Sequence, residues 1–185
     1  MLIKKAKEIT GGLTYTTKMP GPSYNTPASR CLTGAKLRKV PGSVCSSCYA
    51  LKGNYKRFPK VEEALERRFQ SLKHQAWIPA MAALIKKHKY FRWHDAGDIQ
   101  SAKHLQNIFE VCKLTPGTKH WMPTREAQFL KDHLMIPSYD SYSECCKETY
   151  STLIGVCPKC FKEANPHEDL WLKFHPTMNP YEETE

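Results

Sequence analysis

Three cysteines between positions 31 and 48 are the residues best suited to chemistry. Thirteen residues separate Cys31 from Cys45, and two separate Cys45 from Cys48. The C-x-x-C pair lies in a loop rich in Gly, Pro and Ser, where two thiolates can reach one centre without a helix to hold them. Three thiolates leave a fourth coordination position open, as in a catalytic zinc site or an iron–sulfur cluster that binds a non-protein ligand. The alternative interpretation is three ordinary thiols in a loop.

A second group of cysteines lies near the C-terminus. Cys146, Cys157 and Cys160 have the spacing C-x10-C-x2-C, which is close to that of a small zinc ribbon, and Cys145 adjoins them. We predict that residues 142–177 form a metal-binding segment packed on the preceding domain, and that 178–185 form a loose tail. A reduced, cysteine-rich loop is the alternative. The spacing does not distinguish two separate metal sites from one pooled site.

Composition and charge limit the class of protein. The 185 residues, 41% of them hydrophobic, suffice for one domain with a core, which we place at residues 1–141. Eight cysteines without a signal peptide indicate the reducing cytoplasm, and no apolar run is long enough to cross a bilayer. The net charge of +10 predicts an anionic partner, for which nucleic acid is the usual candidate. A basic surface without a partner is the alternative.

The hydrophobic pattern predicts alternating helices and strands after residue 60. Strands are predicted at 89–96, 118–124 and 134–139, and helices at 61–73, 77–87, 101–114 and 125–132. This alternation is typical of right-handed parallel crossovers. The predicted fold is therefore α/β, with a parallel sheet or a partial, irregular TIM-like barrel and crossover helices, plus the cysteine-rich C-terminal segment. On the helix at 101–114, Cys112 falls in the apolar stripe and is predicted to be a core thiol.

Polar side chains follow each predicted strand, where ligands collect in parallel α/β proteins. They are His94, Asp95 and Asp98 after the first strand, Thr124 and Arg125 after the second, and Ser138, Tyr139 and Asp140 after the third. From these we select as candidate catalytic residues a general base, two acids and an anion-binding arginine: His94, Asp95, Asp98 and Arg125. The alternative for Asp98 is that it caps the following helix.

Basic and aromatic residues alternate just after the first cysteine group. Lys and Arg side chains can neutralise phosphates, while aromatic faces can stack on bases. The predicted nucleic-acid contacts are Lys52, Tyr55, Lys56 and Arg57. A solvated loop with a few buried rings is the alternative.

Several stretches resemble the phage gene-product-88 family. In chain order they are KMPGPSYNTPASRC, CSSCYALKGNY, FRWHDAGDIQSAKHL, KHWMPTR and CPKCFKEANPHEDLWLKFH. The resemblance implies a phage protein in the host-cell cytoplasm, with DNA as the favoured nucleic acid, but it implies no settled activity. The signature ending in C-x-x-C-Y-A is also similar to three-cysteine phage proteins that resemble radical S-adenosylmethionine enzymes. Those enzymes have the spacing C-x3-C-x2-C, whereas thirteen residues fill the first gap here.

Two functions fit these features. The first is a metalloenzyme that modifies or exchanges nucleic-acid bases, with Asp95 or Asp98 as nucleophile or base. Its predicted cofactor is an iron–sulfur cluster, with zinc as the alternative and S-adenosylmethionine as a further possibility. The second is a non-catalytic, metal-stapled protein that binds nucleic acid or a host protein. The sequence gives no prediction of the oligomeric state.

Overall fold

The structure, a computed structural model, describes residues 1–16, 19–129 and the backbone of 170–173. The helices are α1 (Ile3–Thr10), α2 (Leu32–Leu37), α3 (Asn54–Arg57), α4 (Pro59–Ser71), α5 (Trp77–Ile85) and α6 (Ala102–Leu114). The strands are β1 (Ser23–Tyr24), β2 (Tyr90–Trp93), β3 (Lys119–Thr124) and β4 (Leu170–Lys173). Short 3-10 helices at Ala28–Arg30, Val44–Ser47 and Tyr49–Leu51 flank the first cysteine group.

The strands form one sheet in the order β1-β2-β3-β4. β1, β2 and β3 are parallel, and β4 runs antiparallel to β3. This arrangement confirms the α/β prediction. In the described part of the chain the sheet is open and forms no barrel, so the barrel alternative has no support there. The predicted strand at 134–139 lies outside the described residues.

Two strands were not predicted from the sequence. β1 has only two residues, and both are buried, with Ser23 opposite Arg92 and Tyr24 opposite Trp93. A two-residue strand shows no alternation, so only its pairing with β2 reveals it. β4 falls in the segment that we assigned to the C-terminal cysteine group, where no strand was expected.

The main core lies between the sheet and α5 and α6. α5 is apolar on nearly every side, and seven of its nine residues are buried. The largest rings of the main core are those of Tyr24, Trp77, Phe91 and Trp93, and each is at most 1% exposed. Burying this aromatic area contributes about 2 to 3 kcal/mol per ring. The core therefore fixes β1 and β2 side by side and sets the position of the loops that follow them.

Two of the predicted helices, α4 and α6, begin within two residues of their predicted starts, whereas the short helices α2 and α3 were not predicted. Pro59 occupies the first turn of α4, where its missing N–H costs nothing. Ser101 caps α6 by accepting a hydrogen bond from the His104 backbone N–H at 3.1 Å. Cys112 is half-buried and packs against the main core, as predicted.

None of the helices in the described part of the chain is both long and apolar enough to cross a bilayer.

Candidate functional site

The carboxyl ends of the parallel strands are joined by the side chain of Asn25, which follows β1. Its Oδ1 accepts hydrogen bonds from the Asp95 N–H at 2.8 Å and the Ala96 N–H at 3.3 Å, both just after β2. The Thr26 N–H also donates to the Ala96 carbonyl at 3.0 Å. Asn25 and Thr26 are almost fully buried. The loop after β2, which carries the candidate acids, is therefore held against the segment after β1.

Gly97 allows this loop to come unusually close to Thr26. Its φ of +82° lies in the left-handed region that favours glycine. A Cβ at this position would stand 2.1 Å from Thr26 Oγ1 and 2.4 Å from the Thr26 carbonyl oxygen. No side chain fits in that space, so this contact requires glycine.

Asp98 connects the ends of β2 and β3. Its Oδ1 accepts from the Ile99 N–H at 2.8 Å and from the Thr124 hydroxyl, and its Oδ2 accepts from the Arg125 N–H at 2.8 Å. Burial raises the pKa of Asp98 to about 7, and these hydrogen bonds offset part of that shift. Asp98 does not cap α6, because Ser101 does so. The candidate acid is thus a buried structural connector, and its two oxygens are already occupied.

Glu126 fastens the first cysteine loop to the end of β3. This fully buried carboxylate accepts from the Leu32 N–H at 2.9 Å and the Thr33 N–H at 2.7 Å, at the start of α2. The Thr33 hydroxyl donates to its second oxygen at 2.8 Å. Sequence analysis did not select Glu126, since no local pattern reveals a contact across 93 residues. A buried acid in a predicted helix after a strand was the only available signal.

Two members of the first cysteine group, Cys31 and Cys45, lie around Gly34 in α2. A Cβ on Gly34 would lie 3.0 Å from Cys31 Cβ, 3.6 Å from Cys45 Sγ and 3.8 Å from Cys31 Sγ. Cys31 and Cys48 both pack against the buried residues Ala28, Ala50 and Ala96, and Ala96 belongs to the loop after β2. These contacts bring Cys31 and Cys48 to the loop at the carboxyl end of β2, and the role of the three thiols as metal ligands stays a prediction.

The electrostatic surroundings of Cys31 support the same placement. Burial is the largest cause of the rise of the Cys31 thiol pKa to about 12. The further causes are the neighbouring groups Asp98, Glu126, Cys48 and Cys45. A thiol among negative charges favours its protonated form, and a bound cation is the usual means of reversing that preference.

The side chains of the described residues form no ready-made metal site. Within residues 1–16 and 19–129, no group of three or more His, Cys, Asp or Glu has the arrangement needed to hold a metal ion. The predicted C-terminal ligands Cys145, Cys146, Cys157 and Cys160 lie outside the described residues, as do Ser138, Tyr139 and Asp140.

Asp95 stands beside the cysteine loop, surrounded by two tyrosines and an arginine. Tyr55 donates to its Oδ2 at 2.9 Å, and Arg92 Nη1 lies 3.5 Å from its Oδ1. The Tyr49 hydroxyl, next to Cys48, donates to the Asp95 backbone carbonyl and lies 3.4 Å from Oδ1. Burial and the charge of Asp95 raise the pKa of both tyrosines. Asp95 is thus the candidate acid in contact with Tyr49, the exposed ring that directly follows Cys48 in the chain.

The predicted nucleic-acid contacts flank this acid. Lys52 and Arg57 are exposed, whereas Lys56 forms an ion pair with Glu62. Tyr55 is half-buried because its hydroxyl is bound to Asp95, so its ring is less available than predicted. Other aromatic side chains are better exposed: Tyr49 at 57% and Phe58 at 49%. The surface after Cys48 is therefore basic and aromatic, with Tyr49 and Phe58 as its exposed rings.

His94 occupies a strained and buried position at the end of β2. It is the one non-glycine residue with positive φ, +61°, among the described residues. Its ring lies 5.4 Å from that of His104, at 75°, and the side chain is only 3% exposed. Both His94 nitrogens and His104 Nε2 lack hydrogen-bond partners within the described part of the chain. This burial makes His94 a poor candidate for direct proton transfer to a nucleic-acid base.

The buried imidazoles predict a loss of stability in acid. Burial lowers the pKa of His104 from 6.5 to about 3 and that of His94 well below 6.5. As the pH falls below about 6.5, these imidazoles become protonated in the unfolded chain but stay neutral in the folded chain, so the free energy of unfolding decreases. Between pH 7 and pH 4, we expect wild type to lose about 3 kcal/mol more unfolding free energy than His104→Gln. Urea denaturation at several pH values measures this.

The exposed His74 provides the matched control for this prediction. His74→Gln should keep the wild-type pH dependence, because it removes no buried imidazole. Equal slopes for wild type and His104→Gln would contradict the burial of a neutral His104.

Arg125, the predicted anion-binding residue, directly follows β3 and is half-buried. Its backbone N–H binds Asp98, which places the arginine at the same edge of the sheet as the thiols.

Comparison with known protein families bears on the whole site. A family model described as Gene product 88 matches residues 1–144, which include the first cysteine group and every described candidate residue. The chain belongs to the Gene product 88 family. No curated protein and no solved structure matches the chain. The family assignment confirms a phage protein and the resemblance found in the sequence, and Gene product 88 as a name states no activity.

Proposed function

We propose that this Gene product 88 protein is a phage metalloenzyme that acts on nucleic-acid bases. The observation that carries the proposal is the clustering of the first cysteine group beside the carboxyl ends of parallel strands: Cys31 and Cys45 lie around Gly34, and Cys48 packs in the same cluster as Cys31. Catalytic sites of parallel α/β proteins lie at that edge. Glu126 and Asn25 hold the participating loops in place, which is the pre-organisation that a catalytic site requires.

The donor set fits a thiolate-bound metal centre. Cys31, Cys45 and Cys48 would hold an iron–sulfur cluster or, alternatively, zinc, after a movement that draws their sulfurs together. Gly34 leaves space beside two of these sulfurs that any larger residue would fill. When bound, such a centre would supply an open coordination position for a small molecule such as S-adenosylmethionine, or would stabilise the loop as zinc does.

Asp95 is the side chain that we assign to the chemical step. The carboxylates of Asp98 and Glu126 accept three and four hydrogen bonds that hold the fold, whereas the Asp95 carboxylate contacts Tyr55 and Arg92 near the surface. Tyr55 and Arg92 keep this carboxylate in place. A carboxylate beside a basic, aromatic surface can act as nucleophile at a sugar carbon or as a general base toward a base removed from the stack.

Nucleic acid, with DNA favoured, is the proposed substrate. Lys52 and Arg57 are exposed and lie close in sequence to Tyr55, which contacts Asp95, so they can neutralise phosphates near this acid. Tyr49 and Phe58 offer exposed rings for stacking on bases. We place the phosphate backbone along this surface and the target base toward Asp95.

Anaerobic purification and product analysis test the proposal. Iron with acid-labile sulfide would support a cluster, and stoichiometric zinc would support the alternative. DNA incubated with the protein is then digested to nucleosides and analysed by mass spectrometry. We expect an altered nucleoside with wild type and a loss of at least about 100-fold in its rate with Asp95→Asn. Glu110→Gln, an exposed acid on α6, is the matched control and should leave the rate unchanged. A metal-free protein would overturn the proposal.

A second candidate is a non-catalytic, metal-stapled protein that binds nucleic acid. It is favoured by one observation: Asp98 and Glu126 are occupied by structural hydrogen bonds, which leaves Asp95 as the single described acid for catalysis at this edge. Under this alternative, wild type contains metal and binds DNA but produces no altered nucleoside. Asp95→Asn would then leave DNA binding unchanged.

Gly34→Ala should reduce metal binding while leaving the fold intact. The added methyl group would contact both Cys31 and Cys45 and oppose the closing of their sulfurs around an ion. Gly34 lies inside α2, where alanine is more favourable than glycine by about 1 kcal/mol. This gain in helix propensity offsets part of the cost of the methyl group's contact with Cys31. We expect metal affinity to fall about 10-fold to 100-fold, measured by competition with a chelator, with little change in thermal unfolding of the metal-free protein. Unchanged metal affinity would contradict the placement of the thiols around Gly34.

A further inference from the structure

A cleft of about 370 Å³ lies on another part of the molecule, lined by residues of α1, of the segment after α1 and of the end of α5. His88 in its wall comes two residues before β2, at the amino end of that strand. The thiols lie beyond the carboxyl end of the same strand. The cleft is therefore at the opposite edge of the sheet from the proposed catalytic site.

The cleft is basic. Lys7 of α1 and Lys87, just after α5, both line it and are exposed, and no acidic residue is among its lining residues. Within the described residues neither lysine forms an ion pair, while the neighbouring Lys5 pairs with Glu8 at 3.8 Å. Two lysines from separate elements that converge without a carboxylate are suited to bind an anion such as phosphate.

The remaining walls are apolar and aromatic. Leu84 is buried and Leu13 is half-buried beneath the cleft, and Tyr15 in its wall is 68% exposed. The Tyr15 ring meets the His88 ring edge-on, with centroids 5.9 Å apart, and its hydroxyl lies 3.4 Å from His88 Nε2. An exposed ring that is held by a neighbour offers a flat surface at little entropic cost.

We infer that this cleft binds a nucleotide, with the base against Tyr15 and the leucines and the phosphate between Lys7 and Lys87. Its volume falls in the range of pockets for small ligands of that size. Charge complementarity selects the phosphate, and the apolar, aromatic walls select a planar ring over a bare anion. A free nucleotide and an unpaired nucleotide at a strand end share this chemistry. The inference does not depend on metal binding or on the proposed activity.

Calorimetric titration of the full chain with AMP, and separately with a 5′-phosphorylated oligothymidylate, tests the inference. Whichever of these two ligands wild type binds, we expect Lys7→Glu/Lys87→Glu to raise its dissociation constant by at least about 10-fold. Tyr15→Ala should weaken binding of that ligand about 5-fold to 100-fold, since stacking on one base contributes about 1 to 3 kcal/mol. Binding of AMP identifies a free nucleotide as a ligand, and binding of the oligonucleotide alone identifies a strand end.

The double variant Lys73→Glu/Lys103→Glu is the matched control, because it makes the same change in charge at exposed residues that belong neither to the cleft lining nor to the proposed catalytic site. It should leave binding of both ligands unchanged. The inference is overturned if neither ligand binds, if both double variants weaken binding equally, or if inorganic phosphate binds as tightly as AMP. It is also overturned if Lys7→Glu/Lys87→Glu affects only binding to vesicles of anionic phospholipid.

Discussion

Gly97→Ala is expected to lower the free energy of unfolding by about 4 kcal/mol, enough to unfold a large fraction of a marginally stable protein. The new methyl group would overlap the side chain and the carbonyl group of Thr26, and this carbonyl cannot rotate away. The positive φ of Gly97 adds about 1 to 2 kcal/mol of backbone strain. Urea denaturation of the purified variant measures the change.

Two other glycines separate the two causes of this loss. Gly42 has a φ of +80°, but a Cβ there would meet nothing within 4 Å, so Gly42→Ala tests strain without overlap. Gly117 has no positive φ and open space around it, so Gly117→Ala should be neutral or slightly stabilising. If Gly97→Ala costs no more than Gly42→Ala, the close contact between Gly97 and Thr26 does not exist.

The central elements of the fold could be predicted because their local patterns agree with their tertiary roles. The helix predicted at 101–114 is observed at Ala102–Leu114, and the strand predicted at 118–124 is observed at Lys119–Thr124. The helix has a regular apolar stripe behind a serine cap, and the strand is a short run that begins just after the turn at Pro116 and Gly117. The strand predicted at 89–96 is shorter, Tyr90–Trp93, because the chain turns at His94 with a positive φ. No sequence pattern signals a left-handed histidine.

The connections between segments could not be predicted in the same way. Glu126 binds the start of α2, and Asn25 binds the loop after β2, across 93 and 70 residues respectively. Each is a single polar side chain, so it leaves no periodic signal in the sequence. β1 is two residues long and exists because β2 offers it a partner. The strand-end rule nevertheless placed Asp95, Asp98 and Arg125 at the edge of the sheet where these connections meet.

The strand-end rule located these acids at one edge of the sheet but did not reveal their hydrogen bonds. Asp98 was predicted as a catalytic residue or, alternatively, as a helix cap. It does not cap α6, and its carboxylate joins β2 to β3. This connection requires knowledge that the two strands are adjacent and parallel. Asp95 differs from Asp98 because its backbone N–H is held by Asn25 and its carboxylate accepts from Tyr55. Neighbouring acids in one loop therefore have different surroundings, and their catalytic roles stay predictions.

Replacement of a single cysteine in the first group is expected to abolish metal binding. Each of the variants Cys31→Ala, Cys45→Ala and Cys48→Ala removes one of only three thiolates in that group. Metal affinity should therefore fall by more than about 100-fold, which exceeds the usual effect of replacing a residue that only supports a metal ligand. Iron, zinc and acid-labile sulfide are measured after anaerobic purification of each variant. Thermal unfolding should also shift downward where wild type holds metal, since bound metal contributes to folding free energy.

Cys112→Ala is the matched control, because Cys112 packs against the main core and lies on a separate element from the candidate ligands. It should cost about 1 kcal/mol of stability and retain the full metal content. Cys157→Ala and Cys160→Ala then decide how many sites exist. If they remove the same metal equivalent as Cys31→Ala, the two cysteine groups share one site, whereas loss of a separate equivalent means two sites. Full metal content in all three N-terminal variants would contradict a metal centre at the end of the parallel strands.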